Sequence, residues 1–133
     1  MSRLFLAEFF GLVFLAGCGR SSPAQEDEKK ASFTIITQEE AKKMMDSGQD
    51  VIIMDVRTQA EYDEGHIPGA LLLPNESIGT QEIEDLPDKE QTILVYCRSG
   101  NRSKQAAQKL AELGYTNIYE FGGIITWPYE IVK

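Results

Sequence analysis

Short apolar runs alternate with amphipathic stretches from residue 33 to the end of the chain. The runs that predict strands are Phe33–Ile36, Val51–Met54, Ala70–Leu73, Thr92–Tyr96 and Ile118–Phe121. Val51–Met54 (VIIM) and Thr92–Tyr96 (TILVY) are almost entirely apolar, which is typical of strands that are buried on both faces of a parallel sheet.

Helical signals lie between these runs. Residues 37–40 (TQEE) and 58–61 (TQAE) each fit a capping box, with Thr at the N-cap and Glu at N3. The predicted helices run from the first box to about Ser47, from the second box to Gly65, and over 102–113; weaker signals predict one or two helical turns over 78–86 and a final helix starting at 124–127. Strands that alternate with helices predict an α/β domain, with a mostly parallel central sheet of about five strands between helical layers.

Composition and charge are those of an acidic globular protein. The chain has 133 residues, of which 42% are hydrophobic and 26% charged, enough for one hydrophobic core. Its 13 Lys and Arg against 21 Asp and Glu give a net charge of -8. Nucleic-acid binding needs basic side chains that neutralise phosphates, so the charge argues against that class of function.

The first 31 residues predict an export signal followed by a tether. Met1–Gly17 has a basic Arg3 followed by an apolar run that is too short to span a bilayer, which is typical of an export signal. The segment ends in Leu-Ala-Gly-Cys18, which resembles the bacterial lipobox and predicts lipidation of Cys18. Residues 19–31 are polar and predict a flexible tether, and 32–133 the folded domain. We therefore expect a lipid-anchored protein of the bacterial cell envelope, on the periplasmic or extracellular face.

The second cysteine lies where chemistry is expected. If Cys18 carries lipid, Cys97 has no partner within the chain. Cys97–Ser103 (CRSGNRS) joins a buried strand to a helix, and Gly100 permits a tight turn that aims N–H groups inward at a helix N-terminus. With Arg98 and Arg102 nearby, this setting predicts an anion site, a lowered thiol pKa and a nucleophilic Cys97. The alternative is that the two arginines only pair with surface acids.

Several motifs together resemble one family. They are Asp55-Val56-Arg57, Glu61-Tyr62, Gly65–Ala70 (GHIPGA), the Cys97–Ser103 segment, and Gly122-Gly123-Ile124 with Trp127. In this order and spacing the set closely resembles the single-domain rhodanese family of sulfurtransferases. The resemblance implies that Cys97 takes a sulfane sulfur from a donor such as thiosulfate, forms a persulfide, and passes the sulfur to cyanide or a thiol.

The resemblance also implies roles for the surrounding residues. The N–H groups that match the family's cradle for the terminal sulfur belong to Arg98, Ser99, Gly100, Asn101, Arg102 and Ser103. Arg98 and Arg102 match positions that face the anionic donor. No metal or organic cofactor is implied. The expected partners are a small sulfur donor, a thiol or cyanide acceptor, and an envelope protein as a possible further acceptor.

Neighbouring residues are assigned supporting roles. Asp55 ends a buried strand, so we expect it on the same sheet edge as Cys97, where it orients the Cys97 loop or Arg57 by hydrogen bonding. His66 is the only histidine, and the family uses this turn position structurally. The chain stops soon after Trp127, which predicts an open Cys97.

Two alternative functions remain at this point. Cysteine-dependent phosphatases and arsenate reductases need five residues between Cys and Arg, whereas Arg102 comes one residue earlier. The shorter loop favours one terminal sulfur over a tetrahedral phosphate or arsenate. The other alternative is a weakly active or non-enzymatic rhodanese module that carries sulfur or binds a partner in the envelope.

Overall fold

The computed structural model describes residues 31–133, which contain a five-stranded parallel sheet. The strands are β1 (Thr34–Ile35), β2 (Val51–Asp55), β3 (Leu71–Leu72), β4 (Thr92–Cys97) and β5 (Asn117–Gly123). The helices are α1 (Gln38–Asp46), α2 (Gln59–Glu64) and α3 (Asn101–Glu112). The strand order β1-β5-β4-β2-β3 confirms the predicted α/β class and its five parallel strands. The predictions for residues 1–30, including the export signal and lipidation of Cys18, lie outside the described residues.

The sheet separates two hydrophobic clusters. On one face, Ile93, Val95 and Cys97 of β4 pack with Ala106 and Leu110 of α3. Leu94 and Tyr96 of the same strand pack on the other face, with α1 and the C-terminal segment. Because β4 is buried on both faces, its sequence is continuously apolar rather than alternating. The thiol therefore lies on the α3 face, at the carboxyl end of the central strand.

Both predicted capping boxes form. Thr37 Oγ1 accepts a hydrogen bond from the N–H of Glu40 at 3.0 Å, and Thr58 Oγ1 accepts one from the N–H of Glu61 at 3.2 Å. The N–H of each Thr in turn donates to the carboxylate of its Glu. These local bonds satisfy donors at the N-termini of α1 and α2.

The predicted helical turns over 78–86 are wrong. This segment is irregular, and a single 3₁₀ turn lies before it, at Asn75–Ser77. Ile78 and Leu86 are buried against the α3-face cluster, whereas the acidic residues between them are exposed. Two apolar anchors at the ends of an acidic run hold a loop on the core without the periodicity that a helix needs.

The predicted C-terminal helix is also wrong, since only one 3₁₀ turn forms at Ile124–Thr126. The N–H of Ile125 donates to Arg98 O at 3.2 Å, which ties this turn to the loop after Cys97. Pro128 follows and has no N–H for a longer helix. No helix among residues 31–133 is both long enough and apolar enough to cross a bilayer.

Candidate active site

Cys97 is the last residue of β4, and its thiol is buried. The residue is 1% exposed, so the prediction of an open Cys97 is wrong. The N–H of Gly100 donates to Sγ at 3.0 Å, and Sγ lies 3.4 Å from Ser103 Oγ. The sulfur is therefore enclosed by the turn that joins β4 to α3, and a backbone N–H of that turn donates to it.

The first turn of α3 supplies further donors. Arg98, Ser99 and Gly100 form the bend, and the helix begins at Asn101. Within residues 31–133, the N–H groups of Asn101, Arg102 and Ser103 have no hydrogen-bond acceptor. There is no acidic side chain in this first turn and no side-chain cap. Unpaired N–H groups together with the positive end of the helix dipole favour an anion at this position.

Two glycines allow this geometry. Gly100 has a φ of +113°, in the left-handed region that favours glycine. Gly123 of β5 lies against the loop, and a Cβ at this position would be 1.9 Å from Arg98 O. The close approach of Gly123 explains physically why a glycine follows Gly122 in the Gly-Gly motif.

A buried carboxylate contacts the same turn, and sequence reasoning missed it. Glu120 of β5 is 1% exposed, and its Oε2 accepts hydrogen bonds from Ser103 Oγ and from the N–H of Gly122 at 3.0 Å. The signal was present in the sequence, because Glu120 is a charged residue inside the apolar strand between Tyr119 and Phe121. A glutamate is rarely buried fully unless it is paired.

Arg102 is not a free positive charge. Its Nη1 and Nη2 donate to the two carboxylate oxygens of Glu61 at 2.9 and 3.0 Å. The hydrogen bond from Arg102 holds the pKa of Glu61 at about 2, and Glu61 in turn raises the pKa of Arg102. For Arg102 the structure thus shows the alternative of pairing with an acid, and the bond fastens α2 to the first turn of α3.

Arg98 differs from Arg102. The residue is exposed, and in the described part of the chain its side chain has no hydrogen-bond or ion-pair partner. Ser99 and Asn101 are also exposed at the rim of the turn. Arg98 is consequently the arginine of the motif whose charge remains available to an incoming anion.

Asp55 and Arg57 form a separate buried network at the end of β2. Asp55 accepts hydrogen bonds from Arg57 Nε at 2.9 Å, Arg57 Nη2 at 2.7 Å and the Tyr96 hydroxyl at 2.7 Å. Burial alone lowers the pKa of Arg57, but the bonds to Asp55 raise it overall. Burial is also the main cause of the raised pKa of Tyr96. Asp55 therefore orients Arg57, which is one of the two roles that the sequence predicts for it. It makes no hydrogen bond to the Cys97 loop.

His66 belongs to the scaffold around α2. Its ring stacks on Tyr62 with centroids 3.7 Å apart, and its Nδ1 is 2.9 Å from Tyr62 O. Its backbone pairs with Val132. Residues 31–133 contain no group of three or more His, Cys, Asp or Glu side chains that could hold a metal ion.

Comparison with known proteins yields consistent matches. Residues 37–127 match the family profile described as Rhodanese-like domain. The chain is 42% identical over 80 residues to thiosulfate sulfurtransferase GlpE of Coxiella burnetii, covering 59% of this chain and 73% of that protein. It is 37% identical over 71 residues to thiosulfate sulfurtransferase PspE of Escherichia coli, covering 53% of this chain and 68% of that protein.

A solved structure described as rhodanese with anions from E. coli is similar in fold. Its TM-score is 0.57 at 34% identity, and the match covers 62% of this chain and 98% of that one. The matched profile spans most of the described residues, including Cys97, Glu120 and both glycines of the Gly-Gly motif. The chain belongs to the rhodanese-like family of sulfurtransferase homologues.

Proposed function

We propose that this protein is a sulfurtransferase that carries a sulfane sulfur on Cys97 as a persulfide. The observation that carries the proposal is the position of the thiol. Sγ lies 3.0 Å from the N–H of Gly100, at the N-terminus of a helix whose first N–H groups have no acceptor in the described residues. The similarity to proteins named thiosulfate sulfurtransferase supports the same chemistry.

The reaction has two displacement steps. The Cys97 thiolate attacks the outer sulfur of thiosulfate, and the S–S bond of the donor breaks, so that sulfite leaves with the electron pair. A thiolate or cyanide then attacks the terminal sulfur of the persulfide, and Cys97 leaves as thiolate. Backbone N–H groups at the α3 N-terminus stabilise negative charge on the terminal sulfur between the two steps.

Charge at the rim favours an anionic donor. The unpaired Arg98 attracts thiosulfate or a persulfide anion, while Arg102 stays bound to Glu61 and holds the first turn of α3 in place. The two displacement steps require no cofactor, since both exchange one thiophilic partner for another at the same sulfur.

The proposal extends to location. Lipid on Cys18 would fasten the protein to the cell envelope, and the polar residues 19–31 would let the domain reach donors and acceptors near the membrane. An envelope protein that presents a thiol is then an acceptor besides small molecules. Metabolic labelling with a fatty-acid probe tests the anchor, which requires labelling of the native chain and none of Cys18→Ser.

Thiocyanate formation from thiosulfate and cyanide tests the activity. The full chain with Cys18→Ser, which leaves Cys97 as its one thiol, is compared with the Cys18→Ser, Cys97→Ser double variant. We expect turnover in the first and none in the second. Gain of one sulfur mass without thiocyanate would favour the carrier function instead, and hydrolysis of p-nitrophenyl phosphate would favour the phosphatase. No thiocyanate and no added sulfur would overturn the proposal.

A further inference from the structure

The hydroxyl of Ser103 connects the Cys97 thiol to the buried carboxylate of Glu120. The thiol is a donor to Ser103 Oγ at 3.4 Å, and the Ser103 hydroxyl is a donor to Glu120 Oε2. All three residues are at most 1% exposed. The three groups thus form a continuous hydrogen-bonded path from a thiol to a carboxylate in a site that is shielded from bulk water.

We propose that Glu120 takes up the proton of Cys97 through Ser103 and holds it while sulfur is bound to Cys97. The proton of the thiol moves to Ser103 Oγ, and the hydroxyl proton of Ser103 moves to Glu120 Oε2. The products are a Cys97 thiolate, which accepts hydrogen bonds from the Ser103 hydroxyl and the Gly100 N–H, and a neutral Glu120. No electrons are transferred, and the hydroxyl of Ser103 is restored.

The charge around Glu120 is suited to this exchange. Glu120 is on the α3 face of β5, where Cys97 from β4 and Lys104 from α3 lie near it. Arg102 of α3 also interacts electrostatically with Cys97. Lys104 Nζ lies 3.8 Å from Oε1, so its charge favours the ionised carboxylate, and its 50% exposure weakens this attraction. Burial and a neighbouring thiolate favour the neutral acid. The proposal requires that one negative charge be shared between Cys97 and Glu120.

This inference rests on the proposed function for its purpose. The donor of sulfur is an anion, and a second negative charge beside Cys97 would oppose its approach. Moving a proton from Cys97 to Glu120 creates the nucleophile without adding charge to the site. When an acceptor removes the sulfur, the returning Cys97 thiolate recovers its proton from Glu120.

A pH profile of thiol alkylation separates this role from a structural one. The measurement is the rate of iodoacetamide reaction in the Cys18→Ser chain from about pH 4 to pH 10, since only the thiolate reacts. Two groups that share one charge titrate in two steps that belong to the pair. We therefore expect two rises in rate, separated by a plateau.

Glu120→Gln keeps the shape of the side chain but cannot take the proton. Its profile should show one rise, below which the rate falls about tenfold for each pH unit. Glu112→Gln, at the exposed end of α3, is the matched control and should retain both rises. A single rise in the parent chain, or two rises in Glu120→Gln, would overturn the proposal.

A second variant avoids the risk that Glu120→Gln fails to fold. Lys104→Gln removes an exposed charge that favours the ionised carboxylate, so the thiolate share should rise and the plateau should increase about two- to fivefold. A purely structural Glu120 predicts a single rise with no plateau in either chain, and a plateau that Lys104→Gln leaves unchanged would also contradict the proposal. Alkylation needs no sulfur donor, so it tests the proton path independently of the sulfurtransferase. Two rises in rate without thiocyanate formation would refute the sulfurtransferase alone. Thiocyanate formation with a single rise would refute the proton path alone.

Discussion

Two neighbouring strands of the sheet, β2 and β4, end in buried groups with opposite surroundings. At the end of β2, both oxygens of Asp55 accept bonds from Arg57, and the Tyr96 hydroxyl adds another. At the end of β4, Cys97 accepts one N–H bond, and the nearby N–H groups of the first turn of α3 have no acceptor among residues 31–133. The acid is saturated, whereas the thiol lies among spare donors.

At this edge of the sheet, the end of β2 therefore has a structural role, and the end of β4 is the candidate chemical site. A saturated buried ion pair has no capacity to bind anything else, and removing one partner leaves an uncompensated charge. Unpaired N–H groups around a thiol favour the binding of an anion at this position. Changes at β2 should therefore affect mainly stability, and changes at β4 mainly activity.

The largest effect is expected from Asp55→Asn. Arg57 is 5% exposed and would lose its buried counter-charge, so the free energy of unfolding should fall by about 3–5 kcal/mol. Urea unfolding followed by the fluorescence of Trp127 measures it. Asp50→Asn, an exposed acid before β2, is the control and should change stability by less than about 0.5 kcal/mol. A loss below about 1 kcal/mol for Asp55→Asn would show that the charge of this network is dispensable.

Gly123→Ala should break the other region. A Cβ 1.9 Å from Arg98 O forces the loop to move, and a shift of this kind should lower kcat/KM for thiosulfate about 100-fold. Gly79→Ala is the matched control, since a Cβ at Gly79 meets nothing within 4 Å. Full activity in Gly123→Ala would mean that the loop geometry beside Cys97 does not matter for turnover.

Arg98→Gln should have a smaller effect, confined to donor binding. Losing the unpaired charge should raise KM for thiosulfate about three- to fivefold at low salt, and the difference should shrink as ionic strength increases. Lys43→Gln, another exposed cation but on α1, should leave KM unchanged. If KM in Arg98→Gln equals that of the parent chain at low salt, Arg98 does not contact the donor.

The smallest effect is expected from Glu61→Gln, and it depends on pH. The folded-state pKa of Glu61 is about 2, below its ordinary value of 4.5, so the carboxylate stabilises the fold above pH 4.5 and loses this effect as the pH falls toward 2. The variant should be about 0.5 kcal/mol less stable at neutral pH, with the gap closing in acid. Urea unfolding at several pH values measures the gap, and Glu64→Gln on the same helix is the control. A gap that does not change with pH would exclude the ion pair with Arg102 as its cause.

Much of this architecture follows from local sequence patterns. The capping boxes at Thr37 and Thr58 and the apolar runs of β2 and β4 depend on neighbours within a few residues, so the helices and strands they predict are present. The Cys97–Ser103 segment is recognisable by the same means, because a strand, a glycine and a helix start lie consecutively in the chain. Local patterns do not predict the 78–86 loop, because two separated anchors, Ile78 and Leu86, hold it and no local periodicity reveals them.

The sequence by itself determined the fold class, the family and the position of the candidate nucleophile. Only the tertiary structure decided which charges are free, because ion pairs join residues that are distant in the chain. Arg102 binds Glu61 across 41 positions, and Ser103 reaches Glu120 across 17. Parallel β4 and β5 bring Gly123 beside Cys97, and the loop packs against that glycine with no room for a side chain. Local propensity carries no information on such distant contacts, since they arise from how the strands are ordered in the sheet.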